Sequence, residues 1–102
     1  MNTKLFVDDT RTPPAANFDC AEDYDGAVFL LEYMNYEFVT LDYSLGDSPN
    51  GLAILKFMHE NKKYPKHLNI HSNHIEGRIL MKKYAEENFP SDVLITTNML
   101  DK

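Results

Sequence analysis

Short apolar runs alternate along the chain with longer segments that carry apolar residues at helical spacing. Four of the runs are mainly apolar, aromatic or β-branched and stop abruptly at a polar residue, which is typical of buried parallel strands. These predicted strands cover residues 4–7, 38–41, 68–70 and 93–95. Residues 18–20 are predicted only as an edge strand. Pro13 and Pro14 precede them and remove two backbone donors, so a stiff loop is expected where many α/β folds place a helix.

Three segments repeat apolar residues at i, i+3, i+4 and i+7 and are predicted as helices that pack through one face. The first begins near Glu22. The second is expected to start with Ser48 as its cap and Pro49 at its first position. The third is expected to start with Asn73 as its cap, with Glu76 completing a capping box. The predicted buried faces are Ala27, Leu30, Leu31 and Met34, then Gly51, Ile54, Leu55 and Met58, then Gly77, Leu80, Met81 and Tyr84.

Strands that alternate with helices predict an α/β fold with a mostly parallel sheet and right-handed crossovers. A chain of 102 residues has the size of one domain, and we expect residues 1–102 to form it. Only residues 99–102 follow the last polar strand end, which leaves no room for a closing helix. The edge near residues 93–97 would then be exposed, and a homodimer is a further expectation.

Composition narrows the functional classes. A hydrophobic content of 43% is enough for a core and excludes disorder, while the net charge of −6 does not favour nonspecific binding to a phosphate backbone. The single cysteine, Cys20, cannot form an internal disulfide. No apolar stretch approaches the roughly 20 residues of a membrane span and no early run resembles a signal peptide, so we expect a cytoplasmic protein without a membrane partner.

Candidate chemistry lies where the strands end, because ligands of parallel sheets bind outside the carboxyl ends of the strands. Asp8 and Asp9 follow the first strand and Asp42 follows the strand at residues 38–41. Three carboxylates on one rim repel each other unless they are protonated or bridged by a cation, and their hard oxygens suit Mg²⁺ or another divalent ion. The pattern predicts a metal-assisted phosphate site. The alternative is that these aspartates cap the loops that follow.

The strand at residues 68–70 ends at His71 and Ser72. An imidazole titrates near neutral pH, so His71 is predicted as a catalytic acid or base together with Asp42; the alternative is a hydrogen-bonded histidine that fills the rim. Ser72 is predicted to donate to a phosphate oxygen in the same catalytic set, or else to cap the next helix.

Arg11 and Arg78 are predicted to bind the phosphate of an anionic substrate, because a guanidinium presents a planar fork of donors. The alternatives are a loop ion pair for Arg11 and a solvated position for Arg78. Asn73 and His74 complete the predicted substrate-binding set, with capping and solvent exposure as their alternatives. No Walker loop, dinucleotide fingerprint or nucleophile elbow is present.

The residues at the strand ends resemble those of response-regulator receiver domains, which carry an acidic pair, a phosphoacceptor aspartate and a hydroxyl residue. The matching residues are Asp8, Asp9, Asp42 and Ser72. The resemblance implies a receiver-like, flavodoxin-like three-layer sandwich whose first and last helices are reduced or absent. A receiver also has a lysine after its last strand, and here Thr96, Thr97 and Asn98 stand in that place.

A closer resemblance, from Lys4 to about Tyr84, is to the cyclic-phosphate-processing receiver-like family. It rests on an Asp-Asp-x-Arg strand end followed by prolines, a Leu-Asp strand end with a Leu-Gly loop, a Gly-x-x-x-Leu helix start, and His-Ser with Gly-Arg five residues on. In this chain those motifs are Asp8-Asp9-Thr10-Arg11, Leu41-Asp42 with Leu45-Gly46, Gly51 with Leu55, and His71-Ser72 with Gly77-Arg78. The chain departs from the family at Tyr43-Ser44, where members often have His-Asp, and at His74, where they have asparagine.

The resemblance implies processing of cyclic phosphates, on RNA 2′,3′-cyclic ends or small cyclic nucleotides. The leading hypothesis is a phosphoesterase-like domain assisted by a divalent ion, with a phosphorylated small molecule or an RNA end as its partner. The alternative is a degenerate receiver module that acts in signalling or partner binding without catalysis. A third hypothesis is an inert small protein whose aspartates are caps.

Overall fold

The computed structural model describes residues 3–97, which contain five strands and three helices. The elements in chain order are β1 (Lys4–Val7), β2 (Phe18–Ala21), α1 (Tyr24–Tyr33), β3 (Phe38–Leu41), α2 (Gly51–Glu60), β4 (His67–Ile70), α3 (Ile75–Asn88) and β5 (Leu94–Thr96). The expectations for Asn98 and for residues 99–102 lie outside the described residues. Within residues 3–97, no helix combines the length and the apolar character needed to cross a membrane.

The five strands form one parallel sheet in the order β2-β1-β3-β4-β5. This is the flavodoxin-like order, so the predicted α/β fold class is confirmed. The neighbours β1 and β3 are paired with Val7 opposite Leu41. The residues that follow these two, Asp8 and Asp42, therefore leave the sheet side by side.

All three helices cover the same face of the sheet. The steps from β2 to β3, from β3 to β4 and from β4 to β5 run in one direction across the sheet, and right-handed crossovers then place their helices on one side. The step from β1 to β2 runs the other way, and its connection is the loop at residues 8–17. The expected reduction of the first helix is confirmed, and the third layer is reduced to this loop in the described part of the chain.

Strand residues of alternate register rows build the core beneath the helices. Leu5 and Val39 belong to one row, and Val7 and Leu41 to another. They pack with Ala27, Leu31, Ile54, Leu55, Met58, Leu68, Ile70 and Met81 in one cluster. The buried face predicted for α2 is confirmed in full. Truncating one of these aliphatic side chains to alanine typically costs about 2–5 kcal/mol, so the cluster is the main support of the fold.

Two predicted helix caps are wrong. Asn50, not Ser48, caps α2 and accepts from the Ala53 N–H at 3.2 Å, and Pro49 precedes the helix. The Ser48 hydroxyl instead accepts from the Tyr24 N–H at 3.3 Å, and its backbone N–H closes a turn onto the Leu45 carbonyl. The loop is therefore two residues longer than predicted, and α2 begins at Gly51.

The cap of α3 is His74, not Asn73. Its Nδ1 accepts from the Gly77 N–H at 2.9 Å, while Asn73 is exposed. The Ser72 hydroxyl accepts from the His74 N–H at 3.1 Å, which forms a turn that includes Asn73 and delays the helix by one residue. The first helix is capped by Asp23, one residue after the predicted start.

The predicted burial is also wrong at two places. Leu80 is 49% exposed because α3 buries a narrow stripe of Gly77, Met81 and Ala85. The last strand is not buried: Leu94 is 58% exposed, since β5 lies at the edge of the sheet and its row points away from the helices. This edge position is the one from which a homodimer was expected, and the homodimer stays a prediction.

The sheet face without helices, here called the helix-free face, carries aromatic and polar side chains. Phe6, Phe18, Phe38 and His67 form successive ring contacts, with centroids 6.2, 6.0 and 4.7 Å apart. Cys20 shares a register row with Phe6 and is an exposed free thiol. This face also continues into the row of residues that follows the strands, where the candidate site lies.

Candidate metal and phosphate site

Three carboxylates meet at the carboxyl ends of β1 and β3. One oxygen each of Asp8, Asp9 and Asp42 lies within 4.8 Å of the others. Asp8 and Asp42 are buried, and Asp9 is exposed. Clustered carboxylate oxygens are the donors that Mg²⁺ and Ca²⁺ prefer, so the chemistry and the spacing of this set fit a hard divalent cation. We call these three residues the acidic cluster.

The sheet holds the acidic cluster rigidly because the ladder continues beyond the strands. The Asp42 N–H donates to the Val7 carbonyl at 3.0 Å, and the Asp8 N–H donates to the Ala21 carbonyl at 3.0 Å. Gly46 lies against Asp9 and adopts a φ of 64°. That left-handed conformation favours glycine, which explains the Leu-Gly pair in this loop.

Asp8 is the most extensively bonded member of the cluster. Its Oδ1 accepts from the backbone N–H groups of Thr10 and Arg11, both at 2.9 Å, and its Oδ2 accepts from His71 Nε2 at 3.0 Å. Burial acts to raise the pKa of Asp8, but the hydrogen bonds from Arg11, Thr10 and His71 outweigh it and lower the pKa. The carboxylate is therefore ionised at neutral pH, as a metal ligand must be.

The Arg11 side chain reaches the same carboxylate. Its Nη1 lies 3.5 Å from Asp8 Oδ2, so the loop ion pair considered for Arg11 is present. That nitrogen is buried and makes no hydrogen bond. A buried guanidinium donor beside three carboxylates has unused capacity for an acceptor such as a phosphate oxygen.

His71 is buried within this site and is only 1% exposed. Nε2 contacts Asp8, Nδ1 lies 2.6 Å from the Thr40 hydroxyl, and the ring stacks on Phe6 with centroids 4.8 Å apart. Burial lowers the pKa of His71 despite the opposing effects of the two buried aspartates, so the ring is neutral at pH 7. Both nitrogens are engaged by the protein, which is the geometry of the hydrogen-bonded alternative. A direct acid–base role for His71 stays a prediction.

The loop after β4 arranges the remaining predicted residues. Ser72 is buried, and its carbonyl accepts from Arg78 Nη1 at 3.1 Å, which folds the arginine back over the start of α3. The Ser72 hydroxyl accepts from the His74 N–H and keeps its own proton for donation. Asn73 and the His74 ring are exposed at the same rim. The structure therefore brings Ser72 and His74 of this loop together with Arg78 at the start of α3.

Sequence reasoning missed the contact between Tyr43 and Gly77. A Cβ at Gly77 would overlap the Tyr43 ring, which therefore needs a glycine beneath it. The same ring faces His74 with centroids 4.7 Å apart and an interplanar angle of 30°. Tyr43 and His74, both departures from the family pattern, thus touch each other. A glycine in the first turn of a helix was the available signal for such close packing.

Thr40 and Asn69 were also missed. Both are polar residues inside short strands, and both are buried. They belong to one register row of the helix-free face and hydrogen-bond to each other at 3.0 Å. Their position inside apolar strands was the signal, because a buried polar side chain needs a partner.

This chain resembles a known protein in fold and a known family in sequence. The receiver domain of the Francisella response regulator 1452 superposes with a TM-score of 0.61 at 22% sequence identity, covering 93% of this chain and 84% of that one. The molecule therefore has a receiver fold, with an acidic cluster at the expected end of the sheet. A model of the "Cyclic-phosphate processing Receiver domain" family matches residues 3–87, and the chain belongs to that family. No curated protein matches the sequence.

Proposed function

We propose that this protein is a phosphoesterase that opens cyclic phosphates with the assistance of a divalent ion, acting on RNA 2′,3′-cyclic ends or on small cyclic nucleotides. The observation that carries the proposal is the acidic cluster, three carboxylates within 4.8 Å beside a buried Arg11 nitrogen that lacks a hydrogen bond. The family description supports the cyclic phosphate as the reacting group.

Asp8, Asp9 and Asp42 would hold the ion, which we expect to be Mg²⁺ or another hard divalent cation. A bound ion of this kind neutralises charge on phosphoryl oxygens and makes a bound water easier to deprotonate. The hydrogen bonds that keep Asp8 ionised also fix its carboxylate, so one member of the set is preorganised before any ion arrives.

Ring opening requires a water oxygen to bond to phosphorus while the bond from phosphorus to one ribose oxygen breaks. The water loses a proton, and the departing ribose oxygen gains one. Asp9 is the exposed carboxylate of the cluster; one of its oxygens would hold the ion, and the other is suited to accept the first proton. His74 uses Nδ1 as the acceptor of its cap, so Nε2–H can donate a hydrogen bond to the departing oxygen, while solvent water supplies the proton that this oxygen gains.

The remaining predicted residues bind the phosphate or position Asp8. Arg11 and Arg78 supply guanidinium donors for the phosphate, the Ser72 hydroxyl supplies a further donor, and Asn73 offers an exposed amide at the same rim. We assign His71 to positioning Asp8 rather than to contact with substrate, because the ring is buried and both of its nitrogens are engaged.

Hydrolysis of the four 2′,3′-cyclic mononucleotides, with and without Mg²⁺, tests this function. We expect metal-dependent turnover that falls by more than about 100-fold in Asp42→Asn, because losing a ligand should exceed the 10–100-fold cost of changing an outer-shell partner. Asp92→Asn is the matched control, since Asp92 is exposed and precedes β5 at the opposite end of the sheet. Equal turnover by Asp42→Asn, or none with any of the four bases by the folded protein, would contradict the proposal.

A second candidate, a receiver-type signalling module, is favoured by one observation. Asp42 lies at the end of β3 in a receiver fold, the position of the phosphoacceptor, and is 7% exposed. Incubation with a small-molecule phosphodonor followed by intact mass measurement separates the two functions. A phosphoryl adduct that is absent from Asp42→Asn, together with no hydrolysis of cyclic nucleotides, would favour signalling.

A further inference from the structure

A line of polar side chains crosses the helix-free face from the acidic cluster to the edge of the sheet. His71 Nδ1 lies 2.6 Å from Thr40 Oγ1, which accepts from Asn69 Nδ2 at 3.0 Å. Asn69 Oδ1 accepts from the Thr96 hydroxyl at 2.6 Å, and Thr96 Oγ1 lies 2.8 Å from His67 Nε2. We call Thr40, Asn69, Thr96 and His67 the polar row.

The chemistry of the donors fixes the direction of the bonds next to His71. An amide nitrogen only donates, so Thr40 Oγ1 is the acceptor from Asn69. The ionised Asp8 carboxylate only accepts, so His71 Nε2 carries a proton, and Nδ1 of the neutral ring is then the acceptor of the Thr40 hydroxyl proton. A nitrogen that accepts a hydrogen bond carries no proton. The proton of the neutral His71 ring is therefore on Nε2.

The Asn69 side chain also fixes the bond directions at the far end of the polar row. Thr96 donates its proton to Asn69 Oδ1, so its oxygen is the acceptor from His67 Nε2. Every bond of the line then points towards Asp8. Thr40 and Asn69 are 0% and 1% exposed, so water does not compete for these partners.

We propose that Thr40, oriented by Asn69, is a positioning residue that holds His71 as the Nε2–H tautomer, so that the ring donates to Asp8 Oδ2 and fixes that carboxylate for metal binding. Without the Thr40 hydroxyl, only the Asp8 carboxylate favours the Nε2–H tautomer, and the Nδ1–H tautomer, whose Nε2 lone pair would face that carboxylate, becomes more accessible. Stacking on Phe6 does not choose between the tautomers, because both nitrogens lie in the ring plane. The tautomer is independent of turnover, whereas the effect on metal binding rests on the proposed function.

Nitrogen-15 spectra of the histidine rings in the full chain at pH 7.5 without metal test the tautomer, and the chain has only four histidines to assign. We expect a protonated Nε2 and an unprotonated Nδ1 for His71. Thr40→Val keeps the shape of the side chain and removes the hydroxyl. It should give a mixture of tautomers and raise the Mg²⁺ dissociation constant by about 10-fold or more.

Thr40→Ser restores the hydroxyl and should return both the spectrum and the dissociation constant to within about twofold of the parent protein, as an outer-shell partner that is kept should. Thr3→Val, an exposed threonine changed in the same way, should alter neither. An Nδ1–H or doubly protonated His71 in the parent protein overturns the proposal, even if Thr40→Val does not fold. Unchanged tautomer and metal affinity in folded Thr40→Val overturn it as well. If the parent protein binds no Mg²⁺, the metal-binding part and the proposed function both fail, while the spectra still decide the tautomer.

Discussion

Replacing Gly77 with alanine tests the close contact between α3 and the residue that follows Asp42. The added Cβ would overlap the Tyr43 ring close to its point of attachment, where the side chain has little freedom to move away. The ring also faces His74, with centroids 4.7 Å apart, which further restricts its movement. The overlap should therefore displace Tyr43 and the backbone next to Asp42.

The change in the free energy of unfolding caused by Gly77→Ala is the sum of two opposing effects. Alanine in place of glycine stabilises a helix interior by about 1 kcal/mol. Overpacking a filled site typically costs about 1–3 kcal/mol. The net change in the parent protein should therefore be a destabilisation of about 0–2 kcal/mol. Once Tyr43 is truncated to alanine, the overlap disappears, and the same Gly77→Ala change should stabilise by about 1 kcal/mol.

Urea unfolding of the four proteins of this cycle, followed by circular dichroism, measures the coupling. Between Gly77 and Tyr43 it should be about 1–3 kcal/mol, and each kcal/mol should move the melting temperature by about 4–8 °C. Gly26→Ala is the matched control, because Gly26 has the same position in the first turn of α1 and meets only the exposed Asp23 carboxylate at 3.1 Å and Ala21. Equal stabilisation by Gly77→Ala with and without Tyr43 would show that the ring does not restrict this position.

Two further predictions concern stability. Lowering the pH from 7 to 5.5 should destabilise the protein, because burial lowers the pKa of His71 in the folded state. In the unfolded chain the same histidine has a pKa of about 6.5. Folding stability is therefore lost as the pH falls below that value, by up to about 1.3 kcal/mol for this group. His67, whose pKa burial also lowers, acts in the same direction, and a urea midpoint that is constant over this pH range would contradict the prediction. His74→Ala should cost about 0.5–2 kcal/mol through loss of the α3 cap, whereas His74→Asn should keep most of it; equal urea midpoints for the two variants would show that the cap contributes nothing.

The order of strands and helices was predictable because the short strand runs are mainly apolar and stop at polar residues, whereas the helices repeat apolar residues at i, i+3, i+4 and i+7. The exact helix starts were not, because several good capping residues lie close together. Ser48 and Asn50 compete within three positions, and the turn that Ser48 closes onto Leu45 decides between them. The burial predicted for Leu80 was wrong for a different reason. Periodicity identifies the apolar side of a helix, but it does not show how wide a strip of that side the neighbouring elements cover.

The meeting of Asp8, Asp9 and Asp42 was predictable, because the rule for strand ends needs only the sheet type. The surroundings of His71 were not, because they depend on Thr40 from a neighbouring strand and on the burial of the ring. The residue that follows each strand in the sequence shows which side chains lie at the carboxyl end of the sheet. Which nitrogen of an imidazole remains available is set by contacts between strands, and these follow only once the register is known.

The solitary thiol of Cys20 makes the helix-free face accessible to spectroscopy. It is the one cysteine in the sequence and is exposed on β2, where partial desolvation and the neighbouring Asp19 and Glu22 raise the pKa of its thiol. A nitroxide spin label attached there needs no substitution elsewhere in the chain. Because Cys20 pairs with Phe6, two residues before Asp8, Mn²⁺ bound at the acidic cluster would broaden the nitroxide signal. The natural sequence therefore provides its own reporter of whether an ion occupies the end of β1.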